Sequence, residues 1–357
     1  MDVQSLTWTL VSIPSHDDPT AVGDRLVEWL RTHTDAIVER DDHGNVFARR
    51  GSGEQSLALV GHHDVVAPDE KQLEDGEYVL ERDGDRLYGR GSADMKGSLA
   101  AMACAFRDAD PAGELVFASF VGEERGGVGC RAAIEDGFAP DYAIVGEGST
   151  GYSAPGVTDV AIAHKGRRGS TITARGTAAH ASEPEAGENA IYRALDAVDI
   201  VRDISFPETT ELGHDVEGSL VATEIDGGSA WNVIPEECTV TVDERTVPGS
   251  RAPLERVEEI DGVTWSVEQD LPPMACEDEG FADLALEAAE TSQDGTPEFV
   301  VKPHATDAGW LASRAGTTCL VVGAAEPGEA HTATESVSLS VLERCESIYR
   351  QVAERCL

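Results

Sequence analysis

Positive charge is scarce in this chain. Lys and Arg number 27 against 67 Asp and Glu, so 357 residues carry a formal net charge of −40 and the pI is near 4.4. A nucleic-acid binder displaces counterions with a basic surface, and none is available. Attraction to an anionic membrane fails for the same reason of sign. The seven cysteines (Cys104, Cys130, Cys238, Cys276, Cys319, Cys345 and Cys356) are odd in number and include no Cys-x-x-Cys spacing, which fits scattered reduced thiols in a cytoplasmic protein. The opening MDVQSLTWTLVSIPS has no basic region followed by an apolar stretch, so no signal peptide is expected. No apolar run approaches the ~20 residues that span a bilayer. There is no Gly-x-Ser-x-Gly elbow, and no Gly-Lys-Ser/Thr phosphate loop.

What is present is enough to fold. Hydrophobic residues make up 41% of the chain, which argues against the disorder that usually accompanies such charge. Lysine occurs only at Lys71, Lys96, Lys165 and Lys302. A surface so acidic and so poor in Lys resembles cytosolic proteins of salt-accumulating halophiles. At molar salt the Debye length falls to about 3 Å, so carboxylates repel weakly. At low salt the same charge repels itself and loosens the fold.

Strand and helix signals alternate through the first part. Val46–Arg50 and Leu57–Val60 read as strands, Gly97–Ala109 as an Ala-rich helix, and LVFASFVG and YAIVGEG as continuously apolar, buried strands. That alternation predicts an α/β fold with a mostly parallel mixed sheet covered by helices on both faces. Near residue 166 the texture changes. RRGSTITARGTAAHAS alternates like a strand, Asn189–Ile204 is an amphipathic helix, Ser219–Val247 reads as a long hairpin around Gly227-Gly228, PLERVEEI as a helix and VTWSVEQD as a strand. Four strands and two helices predict an inserted α+β, ferredoxin-like domain. The expected division is 1–165 with 273–357 for one domain and 166–272 for the insert.

Nearly one residue in five is acidic, so adjacent acids are weak evidence and histidines carry more weight. The strand LALVGHHDVV ends in His62, His63 and Asp64, and His62 and Asp64 share a face. Ligands bind at strand ends in open α/β sheets. Asp94, in GRGSADMKGSLAA, precedes the Ala-rich helix, where a carboxylate can bridge two cations. Glu123-Glu124 follow one apolar strand and Glu147 another, and His331 lies in the loop after the last strand. Together His62, Asp94, Glu124, Glu147 and His331 form a plausible two-cation site with N/O ligands, suited to zinc, manganese or cobalt.

The ordered set GHHDVV, GRGSADMKG, GEE, GEGS and AHTATE resembles the family of acetylornithine deacetylase, succinyl-diaminopimelate desuccinylase and the glutamate-type carboxypeptidases. The resemblance spans nearly the whole chain. It implies a di-metal catalytic domain with an inserted lid that also makes a homodimer. It assigns His62 and Glu147 to one divalent ion, Glu124 and His331 to the other, and Asp94 to both, with zinc first among candidate metals. Asp64 would orient His62, and Glu123 would be the general base. It marks Asp94–Met95 as a candidate cis peptide. In the lid, His180 would stabilise the oxyanion at a neighbouring subunit's site, and Asn232 and Arg245 would hold the substrate carboxylate.

GRRGS is desuccinylase-like, and Arg167 is placed to grip a substrate carboxylate. The stretch HATDAGW carries Gly309 where desuccinylases usually have an arginine. His63 stands where the family usually has an uncharged residue, and on a strand it faces away from His62, so it is left out of the ligand set. His164 and His304 lie near motifs without an assigned role. The expected function is a cytoplasmic, metal-dependent amidohydrolase that removes an acetyl or succinyl group from a small-molecule amino acid or diamino acid. A dipeptidase or carboxypeptidase of the same family is the alternative, and a non-catalytic metal- or ligand-binding protein is the alternative from another class.

Overall fold

The computed structural model describes residues 1–356 and divides them into two compact units. The first holds Met1–Ala163, Met274–Lys302 and the chain from Thr306 onward; the second holds His164–Pro273 and Pro303–Ala305.

The first unit is built on a nine-stranded sheet. Its centre is four parallel strands in the order Glu114–Phe120, Ser56–His62, Tyr142–Val145 and Thr318–Val321. Antiparallel strands flank them: Ile37–Arg40 and Val46–Arg50 on one side, Val160–His164 on the other. The central strands are continuous apolar runs because both faces are covered. Leu57–Val60, Leu115–Ala118 and Ala143–Ile144 are fully buried. The Gly97–Asp108 helix packs on this sheet and against the Leu339–Arg355 helix. Its small side chains allow close approach, and Leu99–Phe106 are buried without interruption. The Leu339–Arg355 helix buries Leu342, Cys345, Ile348, Tyr349 and Val352 at three- and four-residue spacing, and Ser338 caps it by accepting from the Val341 amide.

The second unit is a four-stranded antiparallel sheet in the order Ser219–Gly227, Glu237–Thr246, Gly166–Arg175 and Val263–Leu271. With the Ala190–Asp203 helix after the first strand and a short helix after the third, this is the ferredoxin-like arrangement expected above. Ala190, Ala194, Ala197 and Val201 of the helix pack on Ile172, Ala174, Val240 and Val242 of the sheet.

Some expectations needed adjusting. PLERVEEI forms its helix as a 3₁₀-helix, Leu254–Glu259. The Ile37–Arg40 strand carries no sequence signal, since only Val38 of its four residues is buried. The Glu208–Glu211 and His214–Glu217 hairpin escaped notice because it is polar and turns through Leu212 at φ 44° and Gly213 at φ 82°. Among the described residues no helix is long and apolar enough to cross a membrane. All seven cysteines are free thiols.

Candidate metal centre

Three of the parallel strands end together, and each delivers a polar group as its chain leaves the sheet. The Ser56–His62 strand ends in His62, Glu114–Phe120 leads to Glu123 and Glu124, and Tyr142–Val145 leads to Glu147. After Phe120 the chain reverses sharply through Gly122 at φ 67°, a conformation that favours glycine. Buried Asn45 pins both ends of this turn. Its Oδ1 accepts from the Val121 amide at 3.0 Å, and its Nδ2 donates to the Gly129 carbonyl at 3.0 Å.

The ligand candidates fall into two triads that share Asp94. His62, Asp94 and Glu147 form one, and Asp94, Glu124 and His331 the other; within each, one donor atom per residue lies within 4.8 Å of the others. Asp94 reaches each triad with a different oxygen. Its Oδ1 is 3.0 Å from His62 Nε2, and its Oδ2 is 3.1 Å from His331 Nε2. His62 Nε2 lies 3.3 Å from Glu147 Oε1, and His331 Nε2 lies 3.0 Å from Glu124 Oε1. His331 sits at φ 63°. The Asp94–Met95 peptide is cis.

Electrostatics favour cations here. Burial opposes charge on His62, but its contacts to Asp64, Asp94 and Glu147 outweigh this and raise its pKa well above the ordinary value. Contacts to Asp94 and Glu124 push His331 up to about 10. Burial also opposes ionisation of Asp94, yet the two imidazoles hold its carboxyl well below the ordinary range. Glu123 behaves differently: burial above all, then the charges of Asp307, Glu147 and Glu124, hold its pKa well above the ordinary value. Three carboxylates and two imidazoles converge with no thiol among them. This donor set fits two divalent cations of N/O preference.

Asp64 is beside the triads as expected, with a divided role. Its backbone carbonyl oxygen lies 2.9 Å from His62 Nδ1, while its carboxylate oxygen stands off at 3.6 Å. The carboxylate instead accepts the amides of Glu123 and Glu124, at 3.2 and 3.3 Å. His63 points elsewhere, with Nδ1 2.7 Å from Ser119 Oγ, and burial pushes it down to about 3, so it is neutral.

The lid candidates occupy two places in the second unit. His180 lies on a two-stranded ribbon opposite Val233, is exposed, and holds Ser182 Oγ 2.6 Å from its Nδ1. Asn232 is next to it, its carbonyl accepting from the Ala181 amide at 2.9 Å. Arg167 and Arg245 are cross-strand partners in the four-stranded sheet. Both donate to Asp243, at 2.6 and 2.8 Å. Sequence reading did not single out Asp243, though it stands two residues before Arg245 and so on the same strand face.

Three residues of the first unit were also missed. Asp307 is buried within HATDAGW with an Oδ1 that has no hydrogen-bond partner, and burial pushes its pKa up to about 7. Lys302, one of the four lysines, is buried beside Glu147 at 3.8 Å and donates to the Gly148 carbonyl at 2.8 Å. Glu335 closes the AHTATE motif and is buried against the Asp94 loop. The scarcity of lysine is a signal that could have found Lys302. The two acids lie in stretches already singled out, HATDAGW and AHTATE, and that membership is the signal that could have found them.

Residues 58–355 match the model of the peptidase family M20/M25/M40. The chain belongs to this family. It is a hydrolase of amide bonds. It is 29% identical to the succinyl-diaminopimelate desuccinylase of Acidiphilium cryptum, over 92% of this chain and 88% of that one. It is 31% identical to the acetylornithine deacetylase of Myxococcus xanthus, over 90% and 86%. Its fold is that of aminopeptidase PepT from Bacillus cereus, with a TM-score of 0.81 at 20% identity over 99% and 98% of the two chains.

Proposed function

We propose that the chain is a cytoplasmic, metal-dependent deacylase that removes an acetyl or succinyl group from an amino acid or diamino acid. The observation that carries this is the pair of ligand triads joined by Asp94 at the ends of the parallel strands, with Glu123, whose pKa is held above its ordinary value, beside them. The likeness to a desuccinylase and a deacetylase over about nine-tenths of the chain supports the acyl-transfer side of the family. Free thiols throughout support a reducing compartment.

His62 and Glu147 would hold one divalent ion, Glu124 and His331 a second, and Asp94 both. Zinc is the first candidate and cobalt or manganese the others. Ions bound there supply Lewis acidity and a water of lowered pKa. Glu123 takes the proton of the attacking water and returns it to the leaving amine. A carboxylate held above its ordinary pKa suits both halves of that exchange. Asp64 holds the amides of Glu123 and Glu124 and so keeps base and ligand in register. His180 would donate to the developing oxyanion at a neighbouring subunit's site. Asn232 and the arginines hold the substrate carboxylate: two guanidiniums against the single Asp243 leave a surplus of positive charge in an otherwise acidic protein.

We also propose a homodimer made through the lid. The Ser219–Gly227 strand lies at a sheet edge with Val221 and Ile225 exposed, and the adjoining Ala190–Asp203 helix exposes Tyr192 and Leu195. Light scattering at molar salt should give twice the chain mass.

A hydrolysis panel at molar salt with added zinc, manganese or cobalt tests the activity. N-succinyl-diaminopimelate or N-acetylornithine should be cleaved in preference to simple dipeptides. Preference for the dipeptides would make the chain a peptidase.

A further inference from the structure

The loop that carries Asp94 is tied to the loop that carries His331 by one buried side chain. The link runs through the Ala93 and Asp94 amides. Both donate to Glu335 Oε1, at 3.0 and 3.1 Å. The other oxygen of Glu335 pairs with Arg90, and the two side chains are 0% and 3% exposed. Arg90 in turn reaches the Thr332 carbonyl, and the Glu335 carbonyl accepts from the Gly89 amide at 3.1 Å. Glu335 is four residues after His331. A shift of this carboxylate would therefore move the Asp94 backbone and the His331 loop together. A buried carboxylate that accepts two amides and a guanidinium is a rigid anchor, because breaking any one contact leaves a buried polar group unmatched.

We propose that Glu335 is a positioning residue that sets the spacing between Asp94 and His331, and with it the geometry of the Asp94, Glu124 and His331 cation site. This rests on the two-cation reading above. Two of the three ligands of that site hang on Glu335, against only Asp94 in the site with His62 and Glu147. Loss of the anchor falls unequally on the two sites, which mere destabilisation would not do.

The test is calorimetric titration of the chelator-treated, full-length chain with cobalt at molar salt, following the cobalt absorption spectrum. Wild type should take up two equivalents. Glu335→Gln should weaken one site roughly 10- to 100-fold and leave the other within about threefold, as loss of an outer contact does in metal sites. The thermal midpoint of its metal-free form should stay near wild type. Arg90→Lys keeps a cation against Glu335 but loses the planar fork, and it should weaken the same site by less. If Glu335→Gln does not fold, Arg90→Lys decides alone. Unchanged binding in both variants, or equal weakening of both sites, overturns the role of Glu335. A wild-type chain that takes up one equivalent of cobalt or none overturns the two-cation reading itself.

Discussion

His62 Nδ1 lies 2.9 Å from the backbone carbonyl oxygen of Asp64. A carbonyl only accepts, so the neutral ring carries its hydrogen on Nδ1 and turns the Nε2 lone pair toward Asp94 and Glu147. The candidate ligand is thus oriented by main chain, which no substitution at Asp64 removes. The Asp64 carboxylate, 3.6 Å from the same Nδ1 nitrogen, adds its charge there and holds the Glu123 and Glu124 amides.

Asp64→Asn separates those two roles. An amide oxygen can accept from one of the two amides, but its NH2 repels the other. We expect kcat to fall roughly 10- to 100-fold, the range for lost outer contacts, while cation affinity at the His62 site stays within about threefold. Steady-state kinetics and a metal titration on the same sample check this. Loss of both together would return the orienting role to the carboxylate.

Glu123→Gln removes the proposed base and keeps the shape. We expect kcat to drop by about 100-fold or more with both cations still bound. A wild-type rate in this variant would remove Glu123 from the mechanism.

Much of the grouping in this candidate centre was legible in the sequence, because its polar residues follow apolar strands and two of them are histidines. His62 and His331 stood out against the acidic background, and the motif order placed Asp94, Glu124 and Glu147. The structure adds what spacing cannot carry. That Asp64 uses its carbonyl on His62, that Arg167 and Arg245 share Asp243, and that Glu335 holds the Asp94 amides all depend on side chains far apart in the chain. In a protein with 67 acids, residue type does not set Asp243, Asp307 and Glu335 apart, and their partners or burial give them their places. The Ile37–Arg40 strand was hidden for a related reason, since pairing with Val46–Arg50 rather than apolar content makes it a strand.

The charge predicts the solvent. Most acids stand on the surface, and at 0.1 M salt the Debye length is about 10 Å, so they repel across several neighbours. We expect the thermal midpoint to rise as KCl goes from 0.1 M to molar, and KM for an anionic substrate to rise as salt falls. A flat response in a folded enzyme would contradict the halophilic reading.

Asp85 gives a pH-dependent contribution to stability away from the centre. Its carboxylate accepts from Ser338 Oγ, Ser340 Oγ and the Ser340 amide at the start of the Leu339–Arg355 helix. Burial opposes ionisation, but these donors hold its pKa below the ordinary value. A carboxyl depressed in the folded state stabilises above its unfolded pKa, and the contribution is lost as pH falls through the folded pKa. Asp85→Ala should cost roughly 0.5–1 kcal/mol at pH 7, discounted for its exposure. The difference from wild type should vanish in strong acid. Denaturant melts at both pH values measure it, and an equal cost at both would contradict the assignment.

The most direct test of the two-cation centre is the metal content of the purified full-length chain, reconstituted with zinc or cobalt at molar salt, beside Asp94→Ala. The shared carboxylate predicts two ions per wild-type chain and a loss of affinity at both sites when Asp94 is removed. A wild-type chain that binds one ion or none, or an Asp94→Ala chain that still binds two with wild-type affinity, would contradict it.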